Sequence, residues 1–247
     1  MESNDKYVLE LRLLSETIFA SGEKERNLVQ SRALSDEYGF IYFHAKSLKG
    51  QLKRQALWLL RQYISMGYLD NYAHAYDFLH SMDVLFGVNT WELENAWDLR
   101  EFMRNYLQHM QAEKGFRGQG IMRLTHLELP QEVKNAFRDL IDSKVFSSHD
   151  LISAQTYIRT EIQLDDGVVK DKMLNTYQAV KKGLVFQAHL FFNEDPTQVL
   201  PDLLRIICSL DRIGAGVHRG RGEIEAKLLI NGNDARQELC LEGRGSA

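Results

Sequence analysis

The stretch from Asp211 to Gly222, Asp211-Arg212-Ile213-Gly214-Ala215-Gly216-Val217-His218-Arg219-Gly220-Arg221-Gly222, is where residue type and spacing come closest to chemistry. Four glycines fall within nine residues, and His218, Arg219 and Arg221 stand among them. Glycine accepts positive φ and carries no Cβ, so consecutive amides can close around an oxyanion while the side chains add donors and charge. Arginine alternating with glycine suits a groove for phosphate or single-stranded nucleic acid, with a plain surface turn as the alternative. The stretch is neither GxGxxG after a strand nor GxxxxGK[ST], so a nucleotide cofactor is not indicated.

A second cationic stretch is Lys46-Ser47-Leu48-Lys49-Gly50-Gln51-Leu52-Lys53-Arg54. Leu48, Leu52, Ala56, Leu59, Leu60 and Tyr63 recur at helical spacing, and Ser47 is the expected N-cap. Periodicity does not account for the charge. Lys46, Lys49, Lys53 and Arg54 crowd the first two turns, where the helix dipole disfavours a cation by about 0.3 to 1 kcal/mol. A bound anion would reverse that sign; a solvated basic face is the bland reading. Gly50 costs about 1 kcal/mol relative to alanine inside a helix, which close approach of a ligand or another backbone would explain.

Other elements must position these two stretches. Tyr7 to Leu14 alternates as a half-buried strand, and a charged loop from Ser21 to Tyr38 leads to a short aromatic strand, Phe40 to Phe43. Tyr68 to Met82 and Asn89 to Met110 read as helices, Ile121 to Leu129 as a strand, and Gln131 to Ile141 as a helix after Pro130. Asp165-Asp166-Gly167 signals a hairpin turn after Thr156 to Gln163, a polar run follows from Lys170 to Tyr177, and Leu184 to Phe192 is an apolar strand. An apolar helix from Val199 to Ile213 enters the glycine loop, and Glu223 to Ile230 is the last strand. That order predicts an α+β chain with a ferredoxin-like (RRM-like) βαββαβ core.

The totals narrow the partners. With 247 residues, 44% hydrophobic, the chain can bury a real core, and a net charge of -4 confines any nucleic-acid binding to local basic strips. Cys208 and Cys240 match no metal or redox spacing and read as reduced thiols of a cytoplasmic protein. No apolar run approaches the roughly 18 residues of a membrane span, and the first residues lack the pattern of a signal peptide, so no membrane partner is expected.

Four separated stretches resemble the RAMP superfamily of CRISPR-associated proteins, in particular the guide-RNA-binding subunits of type III effector complexes. Tyr42 to Gly50 resembles the segment ending in Ser-Leu-Lys-Gly at the first helix, and Leu85-Phe86-Gly87 the family's Leu-Phe-Gly junction. Arg159 to Phe186, through Asp165, Gly167, Lys170, Asp171, Leu174, Tyr177 and Gly183, resembles the hairpin called the thumb; Gly214 to Gly222 resembles the C-terminal glycine-rich loop. The resemblance implies a single RAMP domain over 1–247, with a helical insertion at about 68–113 and a thumb hairpin at about 156–182. It implies partners in guide RNA, target RNA and other effector subunits, in antiviral defence. The RNA-binding residues it carries over are Lys46, Ser47, Lys49, Lys53 and Arg54 with Gly214, Gly216, His218, Arg219, Gly220, Arg221 and Gly222. For the thumb they are Arg159, Lys170, Lys172 and Met173. Phosphate contacts would supply affinity and pairing between RNAs specificity.

Target-cleaving subunits of that family carry an aspartate in the loop before the first helix, where it assists metal-dependent cutting of target RNA. Counting back from Ser47-Leu48-Lys49-Gly50 reaches Val29 between Leu28 and Gln30, with Glu25 and Asp36 as the nearest acids. Those apolar neighbours read as an inactive subunit with no cofactor; magnesium enters only if Glu25 or Asp36 serves. Two other functions compete. Relatives of the same fold process precursor CRISPR RNA without metal, and His44 would be the acid or base. A purely structural subunit would use the Trp91, Trp97 and Tyr106 face instead.

Overall fold

The computed structural model describes residues 6–20, 31–67, 72–91, 93, 100–109, 115–165 and 168–237, without the side chains of 100, 101, 103, 109, 162–165 and 168–175. Two compact units are distinguished, one of Met1–Leu48, Thr125–His189 and Leu210–Gly232, the other of Lys49–Leu124, Leu190–Ser209 and Asn233–Ala247.

In the first unit, strand β1 (Tyr7–Leu13) alternates so that Leu9, Leu11 and Leu13 are fully buried while Arg12 faces solvent. It pairs antiparallel with β6 (Ile224–Ile230), from Tyr7 opposite Ile230 to Leu13 opposite Ile224. On its other side runs β5 (Val185–Phe192), where Leu13 N–H donates to Leu184 O and Gly183 N–H to Leu13 O. Phe19 closes this core, 4.8 Å from the Phe43 ring and 5.6 Å from Phe186. The short strand β2 (Met122–Leu124), of the second unit, pairs with the end of β5, and with β7 (Asn233–Asp234), also of the second unit, the strand order is β2-β5-β1-β6-β7. Helix α1 (Ala45–Ser65) lies in the chain between β1 and β2, and α6 (Leu200–Cys208) between β5 and β6. The chain order βαββαβ with that spatial order is the α+β ferredoxin arrangement.

Three local readings change. The strand expected over Ile121 to Leu129 is regular only through Leu124, because Thr125 Oγ1 accepts the His189 amide and the register slips by one before Glu128 pairs with Gln187. Phe40 to Phe43 makes isolated bridges, Ile41 to Ser35 and Phe43 to Leu127, rather than a strand. Residues 148–155 form helix α5 (Ser148–Gln155) after α4 (Gln131–Asp142), opened by a capping box in which Ser147 and Asp150 satisfy each other's amides.

A separate two-stranded ribbon joins β3 (Thr156–Asp165) to β4 (Val168–Val180) in antiparallel register. The polar run from Lys170 continues the strand, since its backbone has a partner whatever its side chains prefer. Tyr157 and Ile158 are 45% and 59% exposed although successive strand residues face opposite ways, so the ribbon shows both faces there.

The second unit contains most of α1 together with α2 (Ala73–Phe86), α3 (Arg100–His109) and α6. Leu52, Ala56 and Leu60 of α1, Leu79 and Met82 of α2 and Ile206 and Ile207 of α6 are fully buried, and the Tyr63 ring meets Phe78 at 5.0 Å. Gly87 ends α2 at φ 72°, and a Cβ there would strike the backbone of Gly118 and Gly120, so only glycine fits. Among the described residues no helix is long and apolar enough to cross a membrane.

Candidate nucleic-acid interface

The first helix begins at Ala45, one turn ahead of a Ser47 cap. Two imidazoles do the capping instead. His126 Nδ1 accepts the Ala45 amide at 3.0 Å and His44 Nδ1 the Lys46 amide at 3.2 Å, with the two rings 4.7 Å apart. Both Nδ1 atoms act as acceptors, so in the neutral rings the proton sits on Nε2. Burial holds the His126 pKa below the usual histidine value, helped by nearby His44 and opposed by Glu128. Lys46 and Ser47 point to solvent on the same turn.

In the second unit, Lys49 and Lys53 are half-buried and tied to main chain: Lys49 Nζ donates to Met122 O at 2.7 Å and Lys53 Nζ to Gly87 O at 2.8 Å. Burial pushes the Lys49 pKa down, and the like charges of Arg123 and Lys53 push it further. These cations therefore crowd one another at the junction of α1 and β2, where a phosphate would relieve the repulsion. Arg123 is exposed on β2 and Arg54 is exposed on α1. Among the described residues, a Cβ at Gly50 would meet nothing within 4 Å.

The glycine loop of the first unit is a bonded scaffold. The amides of Ala215 and Gly222 donate to Ile18 O and Glu16 O, and those of Arg219 and Gly220 to Gly216 O and Val217 O. Those amides are engaged within the protein, so the loop offers its side chains rather than a continuous nest of N–H groups. Gly214 and Gly222 hold φ of 87° and 74°, and a Cβ on either would collide with Thr17 Oγ1 or Ile213 O; Thr17 Oγ1 itself donates to Ile213 O at 2.7 Å. The single 3₁₀ turn Val217–Arg219 lifts His218, Arg219 and Gly220 into solvent.

Carboxylates engage the arginines of this loop. Glu161 of β3 accepts from Arg219 Nη1 through Oε2 and from Arg221 Nη1 through Oε1 at 2.5 Å. Arg221, 17% exposed, also lies 3.4 Å from Glu16 and 4.7 Å from the centre of the Tyr177 ring, and Tyr177 Oη donates to Glu161. Arg159 Nε donates to Glu16 Oε2 at 2.9 Å. Glu161's pKa is held below the usual carboxylate range, first by the Arg221 hydrogen bond and then by that of Arg219, against the opposing effect of burial. The cluster of Arg159, Arg219, Arg221, Glu16 and Glu161 thus ties the loop to the root of the ribbon and keeps one net positive charge.

Of the acids weighed for cutting, Glu25 lies outside the described residues, as do Val29, Trp97 and the side chains of Lys170, Lys172 and Met173. Asp36 is engaged within its own turn. Its Oδ1 accepts the amides of Tyr38 at 3.1 Å and Phe40 at 2.9 Å, and the Lys134 ammonium stands 4.0 Å from Oδ2. Sequence reasoning missed Arg123, Glu16, Glu161 and His126, all distant in the chain from the groups they meet. The alternation of β2 marks Arg123 as outward-facing; nothing in the letters marks its neighbours.

The strand order defines the class, an α+β chain of ferredoxin type elaborated by helices and a two-stranded ribbon. Among solved structures, this architecture is similar to a chain of the type III-B Cmr-beta complex bound to cognate target RNA, with a TM-score of 0.57 at 12% identity. That alignment covers 90% of this chain and 96% of the other. A chain in the apo state of Cmr-beta matches equally, at 0.57 and 12%, covering 92% and 98%. The likeness is one of fold. No protein-family model and no curated protein matches the sequence.

Proposed function

We propose that this chain is a guide RNA-binding subunit of a type III CRISPR effector complex, gripping RNA backbone and guide-target duplex. The observation that carries the reading is the end-to-end likeness of fold to a chain from an assembly solved with target RNA. Exposed cations support it in each unit, Lys46 and Arg219 in the first and Arg54 and Arg123 in the second: on a chain of net charge -4, local basic strips suit a protein that meets phosphates. The ribbon supports it too. Two strands are marginal alone, and exposed Tyr157 and Ile158 favour contact with duplex or a neighbouring subunit.

On this reading the subunit holds RNA rather than cuts it. Asp36 is committed to its own turn, and His44 as a base at Nε2 would have to move its proton to Nδ1 and lose the Lys46 cap. The experiment is filter binding of the purified protein to guide RNA over a salt series, with RNA recovered from the assembled complex sequenced in parallel. Lys46→Ala with Arg54→Ala should weaken binding and flatten the slope of log K against log salt by about 0.7 per lost phosphate contact. Binding without a salt slope, or a double variant indistinguishable from wild type, would overturn the reading.

A further inference from the structure

We propose that the exposed arc of α1 around Trp58 is a stacking platform for single-stranded RNA, an inference that rests on the RNA-binding reading and extends it to bases. The 21 residues of α1 include five cations and no carboxylate. Two of those cations, Lys49 and Lys53, hold main-chain carbonyls. The outward positions Gly50, Arg54, Trp58, Arg61 and Ser65 are all exposed, and at 100° per residue they fall within about 80° of one another.

Trp58 is 51% exposed, at one edge of that arc and midway along its length. An indole left in water is poorly placed for the core, and its neighbours on the arc are two guanidiniums and small residues, not an apolar patch. A protein partner would meet charge on both sides of the ring. A nucleotide strand meets what it needs: a π face for a base, with Arg54 about 6 Å along the helix for a flanking phosphate. Gly50, with open space where its Cβ would be, leaves room for the strand to continue along the helix.

The test compares binding of labelled oligouridine with binding of an oligomer of equal length carrying abasic riboses, using wild type, Trp58→Ala and Trp58→Phe. Trp58→Ala should weaken oligouridine binding roughly 5- to 100-fold and leave the abasic oligomer and the salt slope unchanged, with Trp58→Phe recovering most of the loss. Arg54→Ala should weaken both oligomers alike. If wild type binds oligouridine with a salt slope and Trp58→Ala matches it, the platform is refuted while the RNA-binding reading stands. Equal weakening on both oligomers also refutes it, and so does loss of a neighbouring subunit with oligouridine binding intact, which assigns the indole to a protein contact. If wild type binds neither oligomer, the RNA-binding reading falls and the platform with it.

Discussion

Glu161 holds two arginines of the loop to which the proposed function assigns RNA phosphate, which makes Glu161→Gln the most informative single change. The substitution keeps the shape of the side chain and removes its charge, so the cluster with Arg159, Arg219, Arg221 and Glu16 goes from one net positive charge to two. A phosphate about 6 Å away, in surroundings of effective dielectric about 60, gains roughly 1 kcal/mol from that change, or about five-fold in affinity. If Arg219 is released to a phosphate, the slope of log K against log salt should also steepen by about 0.7. The fold loses a charge-assisted pair in return. Because Arg219 is 66% exposed and only Arg221 is sheltered, about 1 kcal/mol is expected, a fall in Tm of about 2–4 °C. Filter binding over a salt series and thermal unfolding read the two effects separately. Tighter RNA binding by a less stable protein is the expected outcome; weaker binding, or an unchanged salt slope, would show that Glu161 orients the arginines toward RNA or that the loop meets none. The carboxyl is ionised at neutral pH. Since its folded pKa lies below the unfolded value, its contribution to stability is present above about pH 4.5 and is lost as pH falls through the folded value.

Three further outcomes follow from the same geometry. Gly222→Ala places a Cβ against Ile213 O at positive φ and should lower stability by more than about 2 kcal/mol in urea unfolding; Gly220→Ala, at φ 76° in open space, should cost only about 1 kcal/mol. The His126 pKa is lowered on folding, so its contribution is full above about pH 6.5 and stability falls as pH drops below that value; unfolding midpoints between about pH 5 and 8 should show a shallower decline in His126→Asn than in wild type. Asp36→Ala should destabilise the turn by about 1–2 kcal/mol and leave the product ladder of target cutting by the assembled complex unchanged; loss of one cut would restore Asp36 as a catalytic candidate.

Much of the fold was legible in the letters because it rests on local periodicity. The alternation of Tyr7 to Leu13 and the helical spacing of Leu48, Leu52, Ala56 and Leu60 each fix a buried face without reference to the rest of the chain. Helix α5, absent from the predicted elements, also carries a local signal, the capping pattern Ser147-x-x-Asp150. The break in the strand after Leu124 was not, because it arises from a hydroxyl that meets an amide 64 positions away.

The two basic strips show the same division. Sequence alone determined that cations gather at the start of α1 and in the glycine loop, that the loop needs positive φ, and that the chain carries too little charge to bind nucleic acid over its whole surface. Tertiary structure alone decided which of those cations face outward. It turned Lys49 and Lys53 onto carbonyls, set Glu161 against Arg219 and Arg221, brought Arg123 beside Lys49, and left Arg54 and Trp58 in solvent. The physical reason is that a side chain's type is written locally, whereas its partner is chosen by elements that meet only once the sheet and helices have closed around the core.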